Sequence, residues 1–469
     1  MPDTDHPVVS TALTQPGGGL QRSMAVLGTL LITLSSVTPA SSVFIIVPGI
    51  IASAGSGAFL AMVAGAVVGV CMALVYAELS SAYPLSGGEY AIVGRVVGPF
   101  PGFIIMGVNL VGSILVPAVM ALGVSTYLSA IIPGLPAVPT AIATIALTTI
   151  IGILSVKTNA VLTGIFLVLE ILALVVLGYL GFAHVTRPLA DLILQPMILA
   201  GGGLVKAPAA MIGMATSVAI FSYNGFGAAV YFGEETHDAK RHIARAILWA
   251  LVITVASELI PLTAVLMGVP DLKAFLGSQN MLSDFITARG GSAVNTVISL
   301  GIALAIFNAI IAQLLVAARM VYSTGRDAIW SAAISSAFTR THRSFHSPWV
   351  ATLFCGGCSA LACLINENLL FVVTGTGIIL NYGSMCVGVI LGRRSGSTAH
   401  GHYRMPLFPV APVIALLVML YVIYANWLDP VIGRPSLFTT IAICVVSALY
   451  YALVLRRRGA WILRGPEEL

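Results

Sequence analysis

The sequence predicts an all-α polytopic membrane protein with twelve helical crossings, and three observations carry that prediction. Hydrophobic residues make up 58% of the 469 positions and charged residues only 8%, with a mean hydropathy of +1.02. So few charges cannot cover the surface of a water-soluble chain of this length. Apolar runs long enough to cross a bilayer recur from end to end, whereas a membrane β-barrel would show segments of about ten residues alternating in polarity. The third observation is the segregation of Lys and Arg to one side of the predicted crossings.

The first 21 residues carry acids, prolines and glycines and lack a basic stretch before an apolar one, so a cleavable signal peptide is not expected. The crossings follow at about 24–50, 57–81, 103–130, 137–155, 160–184, 208–232, 245–268, 292–320, 348–366, 368–392, 407–428 and 436–456. With both ends on the same side, 17 of the 22 Lys and Arg residues fall on that side. The other side holds the remaining five: Arg187, Lys206, Lys273, Arg289 and Arg434. This bias predicts cytoplasmic termini and a place in the cell (inner) membrane. It also accounts for the net charge of +5 without a nucleic-acid partner.

Two crossings carry loop chemistry at mid-membrane. The first reads Leu-Ser-Ser-Val-Thr-Pro-Ala-Ser-Ser-Val-Phe over 34–44, with Pro39 among five hydroxyl residues. The sixth breaks over Ser222–Gly227, at Ser-Tyr-Asn-Gly-Phe-Gly. One such break is commonly a kinked helix patched by hydroxyls. Two, in the first helices of two five-crossing units, match the pattern of inverted-repeat carriers, in which non-helical backbone at membrane depth lines a midplane site. The units run over 22–186 and 187–395, followed by a two-crossing unit over 396–458 and a tail over 459–469.

Further motifs carry a resemblance. Tyr76-Ala77-Glu78-Leu79-Ser80 followed by Tyr83-Pro84-x-Ser86-Gly87-Gly88-Glu89-Tyr90 resembles the second crossing and following loop of amino acid permeases of the amino acid–polyamine–organocation superfamily. So do Phe221-x-Tyr223-x-Gly225-Phe226 with Glu234-Glu235, and Ala318-Arg319-Met320-x-Tyr322-x-x-x-Arg326-Asp327. The resemblance covers essentially the whole chain in order. It implies the leucine-transporter-like fold, a 5+5 inverted repeat plus two helices. It also implies a secondary transporter of amino acids working by alternating access, through proton symport or exchange, with protons and the lipid bilayer as partners. An amine or polyamine permease of the same fold is the alternative, and it would need an acidic group for the distal amine. A substrate-sensing receptor or a channel is the alternative outside transport. No enzyme motif, cofactor-binding pattern or metal-ligand spacing is present.

By that resemblance the substrate carboxylate is expected on the backbone around Ala40, Ser41, Ser42 and Val43, and the ammonium on the carbonyls around Phe221, Ser222, Tyr223 and Asn224. Gly225 completes the turn, and Tyr223 and Phe226 close over the side chain. The family's Gly-Ser-Gly-Ile-Phe becomes Ala40-Ser41-Ser42-Val43-Phe44 here, so both glycines are gone. Asn224 and Gly227 replace the acid often found in the sixth crossing, which disfavours a dedicated site for basic substrates.

Buried ionisable groups in a membrane are costly and mark function. Glu170 lies mid-crossing where proton-coupled relatives place a lysine, and a desolvated carboxyl there is a proton-coupling candidate. Glu258, before Pro261, is a second candidate or a group bonding the kink or lying near the outer interface. Glu78, Arg95, Glu234, Glu235 and Arg319 lie at inner ends or loops and are gate candidates. Asn109, Asn295, Asn308, Asn381 and Tyr382 are candidates to line the path. The span-8 stretch from Gly301 to Phe307 lacks the hydroxyl pair of sodium-coupled members, which favours protons. The six cysteines, including Cys355-Gly-Gly-Cys358, read as packing residues, and His184, His237, His342 and His346 as surface residues.

Overall fold

The computed structural model describes residues 20–128, 132, 134–406, 408–458, 461, 463 and 464. Most of the two predicted tails, including Gly17–Gly19, and the end of the third predicted crossing lie outside the described residues.

Apolar surroundings leave a backbone no water to bond, so it satisfies itself as helix. Residues Val26–Ala82 form one apolar helical run of 57 residues, too long for one crossing of a hydrocarbon layer about 30 Å thick. It contains α1 (Val26–Val37), α2 (Pro39–Ser41), a π-helical stretch Ser42–Ile46, α3 (Val47–Ala54) and α4 (Ala58–Ala82). Between α3 and α4 a single 3₁₀ turn begins at Gly55, with φ +59°. A Cβ on Gly55 would stand 2.0 Å from the Met197 carbonyl oxygen, so only glycine fits.

The chain continues through α5 (Glu89–Val96), α6 (Pro99–Leu128), α7 (Ala137–Gly152), α8 (Val156–Phe182) and α9 (Leu189–Leu194). Strands β1 (Met197–Ala200) and β2 (Gly203–Lys206) pair antiparallel, with Ala200 opposite Gly203. Their two-residue loop, Gly201–Gly202, has both φ angles positive, as a tight hairpin requires. Next come α10 (Ala209–Ser222), a 3₁₀ stretch Phe226–Phe232, α11 (Ala239–Gly268), α12 (Leu272–Gly277), α13 (Met281–Gly290) and α14 (Ser292–Arg326). The chain then forms α15 (Ala332–Phe338), α16 (Trp349–Ala362), α17 (Glu367–Thr374), α18 (Gly377–Ser395), α19 (Val410–Leu428) and α20 (Gly433–Tyr450).

Nine helical stretches among the described residues are long and apolar enough to cross a membrane, and α7 and α16 are shorter apolar helices. The protein is an integral membrane protein. The broken first stretch is central: α1 packs on α8, α11, α14 and the 3₁₀ stretch, while α20 lies at the side against α6, α17 and α19. The β-hairpin, the separate helix α5, the short helices α9, α12, α13 and α15, and a break at Gly375–Thr376 that splits the tenth predicted crossing into α17 and α18 are not anticipated by the sequence.

Hydrogen bonds define two faces. On one, Met24 N–H donates to Glu235 O (3.0 Å), Ser81 Oγ to Lys240 O (2.7 Å) and Trp461 Nε1 to Asp327 O (3.1 Å). Arg393, Arg394 and Arg456–Arg458 also lie on this face, which is called the basic face below. The opposite face carries the hairpin, where Met197 N–H donates to Ser56 Oγ (2.8 Å) and Thr186 N–H to Met267 O (2.8 Å).

Candidate functional site

Proline explains the first break. It has no N–H to donate and its ring collides with the carbonyl four residues back, and it drives the preceding residue out of helical geometry. Thr38 accordingly adopts the left-handed region (φ 49°, ψ 71°) and closes α1 with a bond from its N–H to Leu34 O. The restart at Pro39 makes Ala40 and Ser41 its first amide donors, because Ser42 N–H already returns to Thr38 O (3.1 Å).

Two helices patch this break. Glu170 of α8 is fully buried, and its Oε2 accepts from Thr38 Oγ1 (3.3 Å). Its Oε1 accepts from Asn308 Nδ2 of α14 (2.9 Å), which also donates to Ser35 Oγ (3.1 Å). The Ala40 amide faces the same carboxyl. The amide end of the restarted helix thus already faces a carboxyl of the protein. Gln313 Nε2 bonds Ser36 Oγ (3.1 Å) one turn further along α14.

The second break ends α10 at Ser222. Asn224 N–H bonds Phe221 O (3.1 Å), and the chain turns at Gly225 with φ +123° before Ala228 N–H starts the 3₁₀ stretch on Gly225 O (2.9 Å). A Cβ on Gly225 would stand 2.8 Å from Val37 Cα, so its absence lets the two interrupted segments touch. Ser42 Oγ donates to Ser222 O (3.1 Å), tying one break to the other. Ser222 Oγ in turn donates to Glu258 Oε2 of α11.

The two carboxyls therefore stand one at each break. Glu258 is fully buried, and among the described residues its Oε1 has no hydrogen-bond partner. The Tyr223 hydroxyl is equally without a partner, on a side chain 1% exposed. Phe226 is buried under Tyr76 (ring centroids 5.8 Å) and Tyr382 (6.3 Å), and Tyr382 OH donates to Asn224 Oδ1 (3.0 Å). Phe221 departs from the rest of the expected set, because its side chain is 46% exposed on the outside of the bundle. Ala40, Ser41, Ser42 and Val43 are buried, with Ser41 the most open of them at 8%.

On the basic-face side of this aromatic layer lies Glu89, which the sequence reading left inside a motif without a role. Its Oε2 accepts from Tyr231 OH and from Asn109 Nδ2 (3.4 Å), and its Oε1 from Tyr76 OH (3.3 Å). The signal available was an acid directly after two glycines. Gly88 (φ +61°) leaves room for the Tyr231 ring, whose Cζ would lie 2.4 Å from a Cβ there.

The gate candidates separate into two groups. Arg319 grips Glu235 with two bonds (2.5 and 3.0 Å), both side chains almost completely buried, and lies over the Phe232 ring. Arg326 bonds Glu234 (2.5 Å), which also accepts from Ser86 N–H (2.9 Å). These pairs bind the segment after the second break to α14 and to the loop before α5. Glu78 is not the partner of Arg319. It takes two bonds from Arg393 (2.7 Å each) and one from Met405 N–H (2.8 Å), joining α4 to α18 and the segment beyond it. Arg95 also turns away from Glu234 and Glu235 and donates to Leu463 O (3.1 Å).

Beyond the breaks, on the hairpin-face side, a cavity of about 270 Å³ is lined by Phe44, Tyr127, Gln279, Ser283, Asn295 and Ser299, among others. Asn295 Nδ2 bonds Ser283 Oγ there (2.9 Å). Among the described residues no group of three or more His, Cys, Asp or Glu side chains could hold a metal ion.

The chain is similar to known transporters along most of its length. The chain is 23% identical to the branched-chain amino acid permease BcaP of Bacillus subtilis (strain 168), over 88% of this chain and 90% of that protein. It is 26% identical to the methylthioribose transporter of the same organism, over 82% and 86%. With the low-affinity putrescine importer PlaP of Escherichia coli (strain K12) it shares 24%, over 67% of each chain. The family model described as amino acid permease matches residues 25–450, nearly the whole described chain, and the protein belongs to that family of membrane transporters.

Proposed function

We propose that the protein is a secondary active transporter of amino acids in the cell membrane, working by alternating access with proton symport or exchange. The observation that carries this reading is the meeting of the two breaks at Val37 and Gly225, each with its own buried carboxyl, Glu170 on the first and Glu258 on the second. Buried carboxyls held only by neutral hydroxyls and amides are costly in a membrane core, and that cost is accepted where charge is moved.

In this reading the chain makes twelve crossings, five and five related by an inverted repeat and two more, with the basic face and both termini in the cytoplasm. The substrate ammonium meets Glu258 and the carbonyls near Ser222, and Tyr223 supplies its free hydroxyl. The substrate carboxylate takes the amide and the hydroxyl of Ser41. Glu170, already on the Ala40 amide, is left to the proton. The tied basic face and the cavity on the hairpin face correspond to a molecule closed inward.

A second reading, an amine or polyamine permease, draws support from the unpartnered Oε1 of Glu258, an anionic group beside the breaks. A thermal-shift panel on the purified protein separates the two, with α-amino acids, their decarboxylated amines and polyamines at millimolar concentration. A ligand at a hundred times its dissociation constant adds about 2.7 kcal/mol of stability. Stabilisation by an α-amino acid and not by its amine is expected. Stabilisation by amines alone would overturn the amino acid reading and make Glu258 a substrate ligand.

A further inference from the structure

Glu89 is the third carboxyl enclosed near the centre of the molecule, and the reading above gives it nothing to do. It stands at the start of α5, 7% exposed, between the aromatic layer of Tyr76, Phe226 and Tyr382 and the ion pairs of the basic face. Its three donors come from three different bodies. Tyr76 belongs to α4, Asn109 to α6 and Tyr231 to the 3₁₀ stretch after the second break. The last of these must part from the others if the basic face is to open.

The titratable groups that face it are Tyr76 from α4, Tyr231 from the 3₁₀ stretch, Tyr382 from α18 and, through Tyr231, Tyr90 from its own helix. All are uncharged at neutral pH. The neighbouring cations are committed elsewhere, Arg319 to Glu235 and Arg326 to Glu234.

We propose that Glu89 is the proton-bearing latch of the basic face, rocking with the alternating-access cycle on which this inference rests. Closed, its carboxyl is protonated and holds Tyr231 against α4 and α6. Open, it meets water, the O–H bond breaks, the proton goes to water on that face and the carboxylate is left solvated. One proton is taken up on closing and one is released on opening. Burial pushes this carboxyl above the usual range, and the hydrogen bond from Tyr231 is the largest of the effects opposing it.

Ser86 provides the reporter. It is completely buried in the closed face, and its hydroxyl has no partner, so a thiol replaces it without breaking a side-chain bond. The full chain carrying Ser86→Cys is reacted with a membrane-impermeant maleimide in vesicles of each orientation between pH 5.5 and 8. Rates are divided by those of the denatured protein and corrected for the chain with Ser86 intact. Labelling from the basic face is expected to rise about tenfold per pH unit below a midpoint and to level off above it, as a single titrating latch requires.

Adding Glu89→Gln, which keeps the neutral hydrogen bonds and cannot ionise, is expected to leave labelling slow and independent of pH. Adding Tyr231→Phe, which removes a bond the latch makes only when closed, is expected to move the midpoint to lower pH. A merely structural Glu89 would leave the midpoint in place. Wild-type pH dependence in Glu89→Gln would overturn the latch while leaving alternating access standing. Absence of labelling from either side at every pH would overturn alternating access, and the latch with it.

Discussion

At the scale of single residues, the first break is decided by which group holds the first amides after Pro39. A helix N-terminus favours an acidic group, and here Glu170 provides one from within the chain, facing the Ala40 amide and bonded by Thr38 and Asn308. No Lys or Arg bonds this carboxyl. Its charge state is therefore set by neutral donors and by whatever enters the site. In the function proposed above, such a group gives up or takes its proton when the break moves. Glu170→Gln keeps the Asn308 and Thr38 bonds and removes the titration. It is expected to abolish uptake driven by a pH gradient while sparing substrate exchange across proteoliposomes. Equal loss of both activities would reduce Glu170 to a structural residue.

At the scale of elements, local chemistry made the two breaks legible in the sequence. Pro39 among hydroxyls, and Ser-Tyr-Asn-Gly inside an apolar run, each disrupt a helix within a few residues of themselves. The partners of the charges were not legible. Glu235 meets Arg319 across 84 residues and Glu234 meets Arg326 across 92. Glu78 finds Arg393 across 315, although Arg319 lies equally near the inner end of its span. Glu89 stayed hidden for the same reason, since its burial comes from α6 and the 3₁₀ stretch rather than from its neighbours in sequence. The break at Gly375–Thr376 lacks a proline, and small residues are ordinary in membrane helices.

These long-range ties carry an energetic prediction. Removing one member of a buried ion pair leaves the other charged and dry, at a cost of about 3–5 kcal/mol, while removing both costs much less. Arg319→Ala is therefore expected to lower the melting temperature in detergent more than the Arg319→Ala/Glu235→Ala double substitution does. Equal or additive losses in the double-mutant cycle would show that the pair is not coupled.

At the scale of the whole molecule, the arginines that bias the charge and the ion pairs that lock the chain fall on one face. The arginine-rich side predicted from the sequence is the side on which Glu235, Arg319, Glu234, Arg326, Glu78 and Arg393 lock segments far apart in the chain. The opposite side keeps the β-hairpin and the 270 Å³ cavity. A bilayer sorts Lys and Arg to the cytoplasmic side during insertion, and the orientation proposed above accordingly sets the locked face toward the cytoplasm and the cavity toward the outside. Val205, on the hairpin, and Arg343, between α15 and α16, are both exposed and lie on opposite faces. In intact cells Val205→Cys is expected to react with an impermeant maleimide, and Arg343→Cys only after the membrane is opened. The reverse pattern would invert the molecule. The cavity would then be the inward mouth, and the ion-paired face the one that opens to receive substrate.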